Sequence, residues 1–149
     1  MWLYQGKEIK SIGDMGENIP YGFIYKVTHT PTGKAYLGKK SLYHTSKKTL
    51  GKKEIAALPK TQGRPQKFKI ITKESDWLLY YGSNQEIKQL IKEGKQNEFT
   101  REIVCFAYNK KHLGYLEVKM QFIHEVLEHP DKWFNDNING KWYSSDFIE

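Results

Sequence analysis

Three stretches of the chain mix apolar and polar residues in the way that is typical of β-strands. Residues 22–28 and 34–42 are rich in β-branched and aromatic side chains. The Thr-Pro-Thr-Gly sequence between them favours a turn, so the two stretches predict a β-hairpin. Residues 100–107 predict a third strand. Two shorter β-prone pieces surround Gln5-Gly6 and predict a small hairpin or an arm over residues 1–19.

Two other stretches repeat apolar residues at helical spacing. Ser83 and Glu86 have the spacing of a capping box, which predicts that a helix begins there and ends near Gly94. Asn109 predicts the cap of a longer helix that Pro130 ends. The apolar stripe of the first helix is Ile87, Leu90 and Ile91, and that of the second is Leu113, Leu116, Met120, Ile123 and Leu127.

The order of these elements, β-β-α-β-α, predicts an α+β fold in which a small antiparallel β-sheet is flanked by helices. With 149 residues, of which 38% are hydrophobic, the chain is long enough to bury a core within one domain. We assign residues 20–149 to this domain and residues 1–19 to the N-terminal arm or hairpin. Residues 39–73 are an insertion within the domain.

Basic residues are concentrated in that insertion. It holds eleven Lys or Arg residues and one acid, Glu54, for a local charge of +10 in a chain whose net charge is +7. Its Pro and Gly residues predict an irregular loop with one short helix near residues 52–58. This charge is typical of a protein that binds a polyanion, although a solvated basic loop has the same charge. The residues expected to contact nucleic acid are Lys47, Lys48, Lys52, Lys53, Arg64, Lys67 and Lys69.

Several classes of protein are disfavoured by composition. Cys105 is the only cysteine, which excludes an internal disulfide and a cysteine-rich zinc site. The first residues do not resemble a signal peptide, and no apolar run approaches the length that crosses a bilayer. We therefore expect an intracellular, cytoplasmic protein without a membrane partner.

The hairpin places two tyrosines close together. If His29 pairs with Lys34 to close a four-residue turn, Tyr25 lies opposite Gly38 and Val27 lies opposite Tyr36. Opposite residues share a face of the sheet, as do alternate residues along one strand, so the side chains of Tyr25 and Tyr36 project from the same side. Nearby lysines would favour a phenolate and so create an acid-base pair. The alternative is that both rings are ordinary packing residues of the sheet.

The same residues carry a resemblance to a known family. Phe23-Ile24-Tyr25 and, ten residues later, Ala35-Tyr36-Leu37-Gly38 resemble the paired signature of the GIY-YIG nucleases. Phe23 stands where that family usually has Gly, and Leu37 where it has Ile. The resemblance covers roughly residues 20–140. It is greatest to stand-alone, phage-encoded enzymes that are similar to homing endonucleases, which would place the protein in the cytoplasm of a host cell.

This resemblance implies roles for four residues. Tyr25 would help to activate the attacking water, and Tyr36 would line the scissile phosphate. Glu117 would bind one Mg²⁺ or Mn²⁺, since a hard cation takes oxygen ligands. Asn135 would close the pocket near the end of the domain, and Asn137 is the alternative for that role.

One family residue has no counterpart in the expected place. GIY-YIG nucleases carry an Arg on the helix after the second motif, and this chain has none there. Lys39 and Lys40, which directly follow Gly38, are the expected substitutes, although lysine lacks the two-pronged guanidinium group.

The function that the resemblance implies is a Mg²⁺-dependent DNA endonuclease acting on double-stranded DNA, with a homodimer on DNA as one way to cut both strands. Two alternatives stay open. The missing Arg favours a non-catalytic nucleic-acid-binding module that has kept the fold and the basic surface. The basic insertion would also suit an interaction protein with an acidic partner.

Overall fold

The computed structural model describes residues 1–58, 63 and 68–147. The described strands and helices, in chain order, are β1 (Trp2–Tyr4), β2 (Lys7–Ile9), β3 (Gly22–His29), β4 (Ala35–Ser41), β5 (Tyr43–Thr49), α1 (Lys52–Ala56), β6 (Phe68–Glu74), α2 (Gln85–Lys92), β7 (Phe99–Ala107), α3 (Lys110–Ile123), β8 (Asn137–Ile138) and β9 (Trp142–Tyr143). Short 3₁₀ turns lie at Ile12–Met15, Trp77–Leu79, Gln96–Glu98 and Ser144–Phe147. Within these described residues, no helix is long and apolar enough to cross a bilayer.

The main sheet has five strands in the order β2-β1-β7-β3-β4. Its β7-β3-β4 part is antiparallel, and the α+β class predicted from the sequence is confirmed. The sheet as a whole is mixed, because β1 pairs in parallel with β7. Residues 1–9 form a hairpin by the antiparallel pairing of β1 with β2. The division of the chain at residue 19 stays a prediction.

The register of the β3–β4 hairpin is the one that the sequence predicts. The amide of His29 donates a hydrogen bond to the carbonyl of Lys34 at 2.8 Å, which closes the four-residue turn. Tyr25 lies opposite Gly38, and Val27 lies opposite Tyr36. A register shift against β7 falls between Ile24 and Tyr25, on the other side of β3, and leaves the β3–β4 pairing intact. Tyr25 and Tyr36 therefore share one face of the sheet.

The core lies on both faces of β3, because every apolar residue of this central strand is buried. Ile24 and Leu37 pack with Leu113 of α3 in one cluster. Phe23 packs in an aromatic cluster with Trp2 and Trp77, at ring-centroid distances of 5.1 and 6.3 Å. The second cluster includes Tyr25, so the N-terminal strand forms part of the wall around that side chain.

Both helix predictions need a correction at one end. The side chain of Asn84, one residue after the predicted cap, accepts the hydrogen bond from the Ile87 amide and caps α2. Helix α3 begins at the predicted cap, Asn109, but ends at Ile123 rather than at Pro130. Glu125 then takes a positive φ of 51°, and Ile123 is 60% exposed. The predicted apolar stripe is wrong at Ile123, because the chain turns before that position reaches the core.

Residues 43–75 form a compact unit of their own. Strands β5 and β6 pair along their whole length as an antiparallel ribbon, and α1 lies in the connection between them. The prediction of an irregular loop is therefore wrong for most of this segment, although its short helix is present. Thr and Ile residues in β5 and β6 favour strands, and the Gly and Pro residues that prompted the loop prediction lie between the two strands in the sequence. Arg64 and Lys67 lie outside the described residues.

Candidate active site

Tyr25 and Tyr36 form a pair on the aromatic face of the sheet. Their ring centroids are 6.2 Å apart, and the rings are tilted by 36°. Two glycines allow this arrangement. A Cβ atom at Gly38 would lie 2.6 Å from the Tyr25 hydroxyl, and one at Gly82 would lie 3.3 Å from the same oxygen and from the Tyr36 ring. Gly38, the glycine of the second motif, is thus needed because any larger residue would collide with Tyr25.

Tyr25 is buried and is not a phenolate. Only 1% of the residue is exposed, and its ring meets that of Tyr80 edge-on at 5.7 Å. Burial raises the pKa of the Tyr25 phenol well above its usual value, and the nearby Tyr80 and Tyr36 phenols raise it further. The expectation that lysines would favour the ionised form is wrong, because desolvation and the neighbouring phenols dominate at this position and all disfavour the phenolate.

Tyr36 is anchored by Ser83, which the sequence predicted to cap α2 instead. Its hydroxyl lies 2.9 Å from the Ser83 hydroxyl, so Ser83 is committed to this contact and not to capping α2. Burial raises the pKa of Tyr36, while the Ser83 hydrogen bond acts in the opposite direction. The position of Ser83 directly after Tyr81-Gly82 is the one sequence signal that would have indicated this role.

Glu117 on α3 adds a carboxylate to the tyrosine pair. Its side chain is 23% exposed, and one of its oxygens lies 3.8 Å from Lys39 Nζ. Burial raises the pKa of Glu117, and the charge of Lys39 partly offsets that effect. The Glu117 charge in turn raises the pKa of both Tyr25 and Tyr36. The charge of Glu117 therefore acts on both members of the tyrosine pair.

Asn135 and Asn137 occupy different positions. Asn135 is 4% exposed, and its side-chain amide accepts a hydrogen bond from the Leu37 amide and donates one to the Leu37 carbonyl. Gln121 of α3 donates to the same carbonyl. Asn137 instead bonds to its neighbours Asp136 and Gly140. Of the two, Asn135 is the one that holds strand β4 between Tyr36 and Gly38.

Comparison with known proteins identifies the family. Residues 2–138 match the family model described as "Putative endonuclease segE, GIY-YIG domain". The chain belongs to the GIY-YIG family. An endonuclease domain implies a DNA substrate and a hydrolase that cuts within the strand. No curated protein and no solved structure was found to match.

The two lysines that follow the second GIY-YIG motif are not equivalent. Lys40 is paired with Asp76 at 2.6 Å, and its Nζ lies 4.1 Å from the centre of the Tyr80 ring. Lys39 keeps 47% of its side chain exposed and lies beside Glu117. Both lysines thus have a carboxylate partner, but Lys39 is held at the longer distance and is the more exposed of the two.

Arg101 is the one arginine among the described residues, and it lies on β7 and not on the helix that carries the family Arg. Its guanidinium group donates hydrogen bonds to the carbonyls of Leu78 and Tyr80, at 2.9 and 3.0 Å, and packs 4.2 Å from the Tyr81 ring. It therefore fixes the backbone that carries Tyr80 against Tyr25. Sequence reasoning missed Arg101, because nothing in the pattern of strand β7 distinguishes it from an exposed cation.

The described carboxylates suit a GIY-YIG metal site that relies on the substrate. No cluster of three or more His, Cys, Asp or Glu side chains able to hold a metal occurs in the described part of the chain. Nucleases of this family are generally dependent on a divalent metal. Mg²⁺ commonly binds through one or two carboxylates, with waters and substrate phosphates as its other ligands. Glu117, a partly exposed carboxylate, has the chemistry of such a ligand.

Proposed function

We propose that this protein is a metal-dependent endonuclease that hydrolyses phosphodiester bonds of double-stranded DNA. The observation that carries the proposal is the Tyr25–Tyr36 pair packed against Gly38 and Gly82, with the charge of Glu117 acting on both phenols. A purely structural pair of tyrosines would not need a partly buried carboxylate whose charge acts on both phenols. Burying a carboxylate costs stability, and carboxylates with perturbed pKa values are concentrated at functional sites.

Tyr25 acts as a neutral phenol in this proposal. Its raised pKa keeps the proton on the oxygen at neutral pH, so it orients the attacking water or the phosphate by hydrogen bonding and does not remove a proton. Tyr36, which Ser83 holds in place, lines the scissile phosphate. Both groups exert their effect by positioning, which can contribute several orders of magnitude to a rate.

Lys39 and Glu117 supply the charges. The exposed Nζ of Lys39 contacts a phosphate oxygen of the substrate, in the place of the family Arg. Glu117 holds the metal ion, Mg²⁺ or Mn²⁺. When bound, such an ion neutralises charge on the phosphate and on the leaving 3′ oxygen. Asn135 is a positioning residue, because its contacts are with the backbone of Leu37 and not with the site itself.

A plasmid assay tests the proposal. Supercoiled DNA is incubated with the protein and Mg²⁺, and nicked or linear product is expected, while EDTA prevents it. The Glu117→Gln variant keeps the size of the side chain and removes its charge, so cleavage should fall by at least about a hundredfold. DNA binding, measured in EDTA, should be retained.

Glu128→Gln is the matched control for that assay. It removes an exposed carboxylate beyond α3 and should cleave like the native protein. Full activity in Glu117→Gln would refute the metal site. Binding without any cleavage in the native protein would favour the second candidate function, a non-catalytic DNA-binding module, for which the missing Arg is the motive.

The nicked and linear products also report on assembly. One active site cuts one strand at a time, so a single chain should accumulate nicked plasmid before linear plasmid. We propose that double-strand cleavage requires a homodimer or two successive events. We further propose that the protein is a stand-alone, phage-encoded enzyme similar to homing endonucleases, and that it cuts DNA in the cytoplasm of the host cell.

A further inference from the structure

The β5–β6 ribbon has two faces of different chemistry. In its register His44 lies opposite Lys73, and Lys48 lies opposite Lys69. Opposite residues and alternate residues share a face, so these four side chains project together from one side of the ribbon, with Ser46 and Ile71 between them. We call the side that they form the lysine face.

The lysine face is stabilised poorly by the protein itself. Like charges placed directly opposite each other in a sheet repel, and Lys48 faces Lys69 in this way. Among the described contacts, Glu54 of α1 offsets one of these charges, at 3.2 Å from Lys69 Nζ. Lys48 and Lys73 are exposed. A concentration of cations that the described contacts neutralise only in part indicates a polyanion as the partner.

The other face carries different residues. It consists of Tyr43, Thr45, Lys47 and Thr49 on β5, with Phe68, Ile70, Thr72 and Glu74 opposite them on β6. One lysine and one glutamate leave this face without a net charge. Lys47 and Lys48 are adjacent in sequence, are both exposed, and project in opposite directions.

We infer that the lysine face is the surface of the ribbon that contacts the phosphates of double-stranded DNA, and that Lys47 lies on the side turned away. The inference rests on the proposed function for its choice of DNA as the polyanion. It divides the cations that the sequence grouped together, because the ribbon register assigns Lys48 and Lys69 to the contact surface and Lys47 to the opposite one.

Salt titration distinguishes the two faces. Binding of a labelled random-sequence DNA duplex is measured by fluorescence anisotropy in EDTA, so that no cleavage occurs, at several salt concentrations. Each lost phosphate contact reduces the slope of log K against log salt by about 1. Lys48→Ala is expected to show that reduction, and Lys73→Ala should behave similarly. Lys47→Ala, which removes the same charge one residue away, should change the slope by clearly less.

Thermal unfolding of each variant controls for folding, and Lys73→Ala provides a second variant if Lys48→Ala does not fold. Equal slopes for Lys47→Ala and Lys48→Ala, or the larger change in Lys47→Ala, would overturn the inference. The expected slopes in a protein that never cleaves DNA would support the lysine face and refute the enzyme. Absence of DNA binding in the native protein would refute both the role of the lysine face and the proposed endonuclease function.

Discussion

Gly38 lies directly beneath the Tyr25 phenol, so that a methyl group added to its Cα would be 2.6 Å from the Tyr25 hydroxyl and 2.8 Å from the adjacent ring carbon. Neither neighbour can move freely, because Tyr25 is buried and Gly38 is in the middle of strand β4. The glycine of the second motif and the tyrosine of the first are thus two halves of one contact across the hairpin.

Gly38→Ala should therefore displace the phenol from the site. We expect a loss of stability of about 1–3 kcal/mol, as for other overpacked cores, and a much larger proportional loss of cleavage. Plasmid cleavage and urea denaturation measure the two effects. Gly13→Ala is the control, because its nearest neighbour would be at an ordinary 3.6 Å. Native-like cleavage by Gly38→Ala would mean that the position of Tyr25 does not matter.

The raised pKa of Tyr25 predicts a dependence of stability on alkaline pH. The folded protein favours the protonated phenol, so its contribution to stability is complete below the usual tyrosine pKa, near 10, and is lost as pH rises beyond it. The native protein should lose stability above about pH 10 more steeply than Tyr25→Phe does. Urea midpoints measured across this range give the comparison. Tyr115→Phe, which removes an exposed phenol, should follow the native curve.

Asn135 and Asn137 should differ sharply in their effects on stability. Asn135→Ala leaves the buried amide of Leu37 without the side-chain partner that it has in the native protein, which should cost about 1–3 kcal/mol. Asn137→Ala breaks bonds that are exposed to water and should cost clearly less. Denaturation by urea provides both values. Similar losses for the two variants would show that the contacts between Asn135 and Leu37 add no special stability.

Arg101→Lys tests how Tyr80 is positioned. Lysine keeps the charge but cannot reproduce the fixed fork that reaches the carbonyls of Leu78 and Tyr80 together. We expect reduced stability and a lower cleavage rate, with DNA affinity almost unchanged because Arg101 is buried. Glu102→Gln, on the exposed side of the same strand, is the matched control. An equal loss of affinity and cleavage would indicate a direct contact with DNA instead.

Local rules were sufficient for the β3–β4 hairpin. A Thr-Pro-Thr-Gly turn and period-two strands predict the hairpin, and the hairpin register alone places Tyr25 beside Tyr36. The pairing of β1 with β7 was not predictable, because a parallel neighbour distant in sequence depends on which edge the remaining elements leave open. Ser83 shows the same limit. Its position fits a local capping pattern, but its hydroxyl contacts the Tyr36 phenol, which is distant in sequence.

The electrostatics of the site also could not be predicted from the sequence. Lys39 and Lys40 are identical residues in adjacent positions, but one faces Glu117 and the other faces Asp76. Likewise, the pKa of Tyr25 depends on burial, which several elements create together, more than on its charged neighbours. Charge can be counted along a chain, but desolvation requires the three-dimensional packing.

Strand β1 has a consequence for how the protein matures during synthesis. Trp2 is synthesised well before its partner on β7, Arg101. Until then the Trp2 ring cannot settle against Phe23 and Tyr25. A nascent chain should therefore lack a closed wall around Tyr25 until β7 has been synthesised, and DNA cleavage should not be possible before that point.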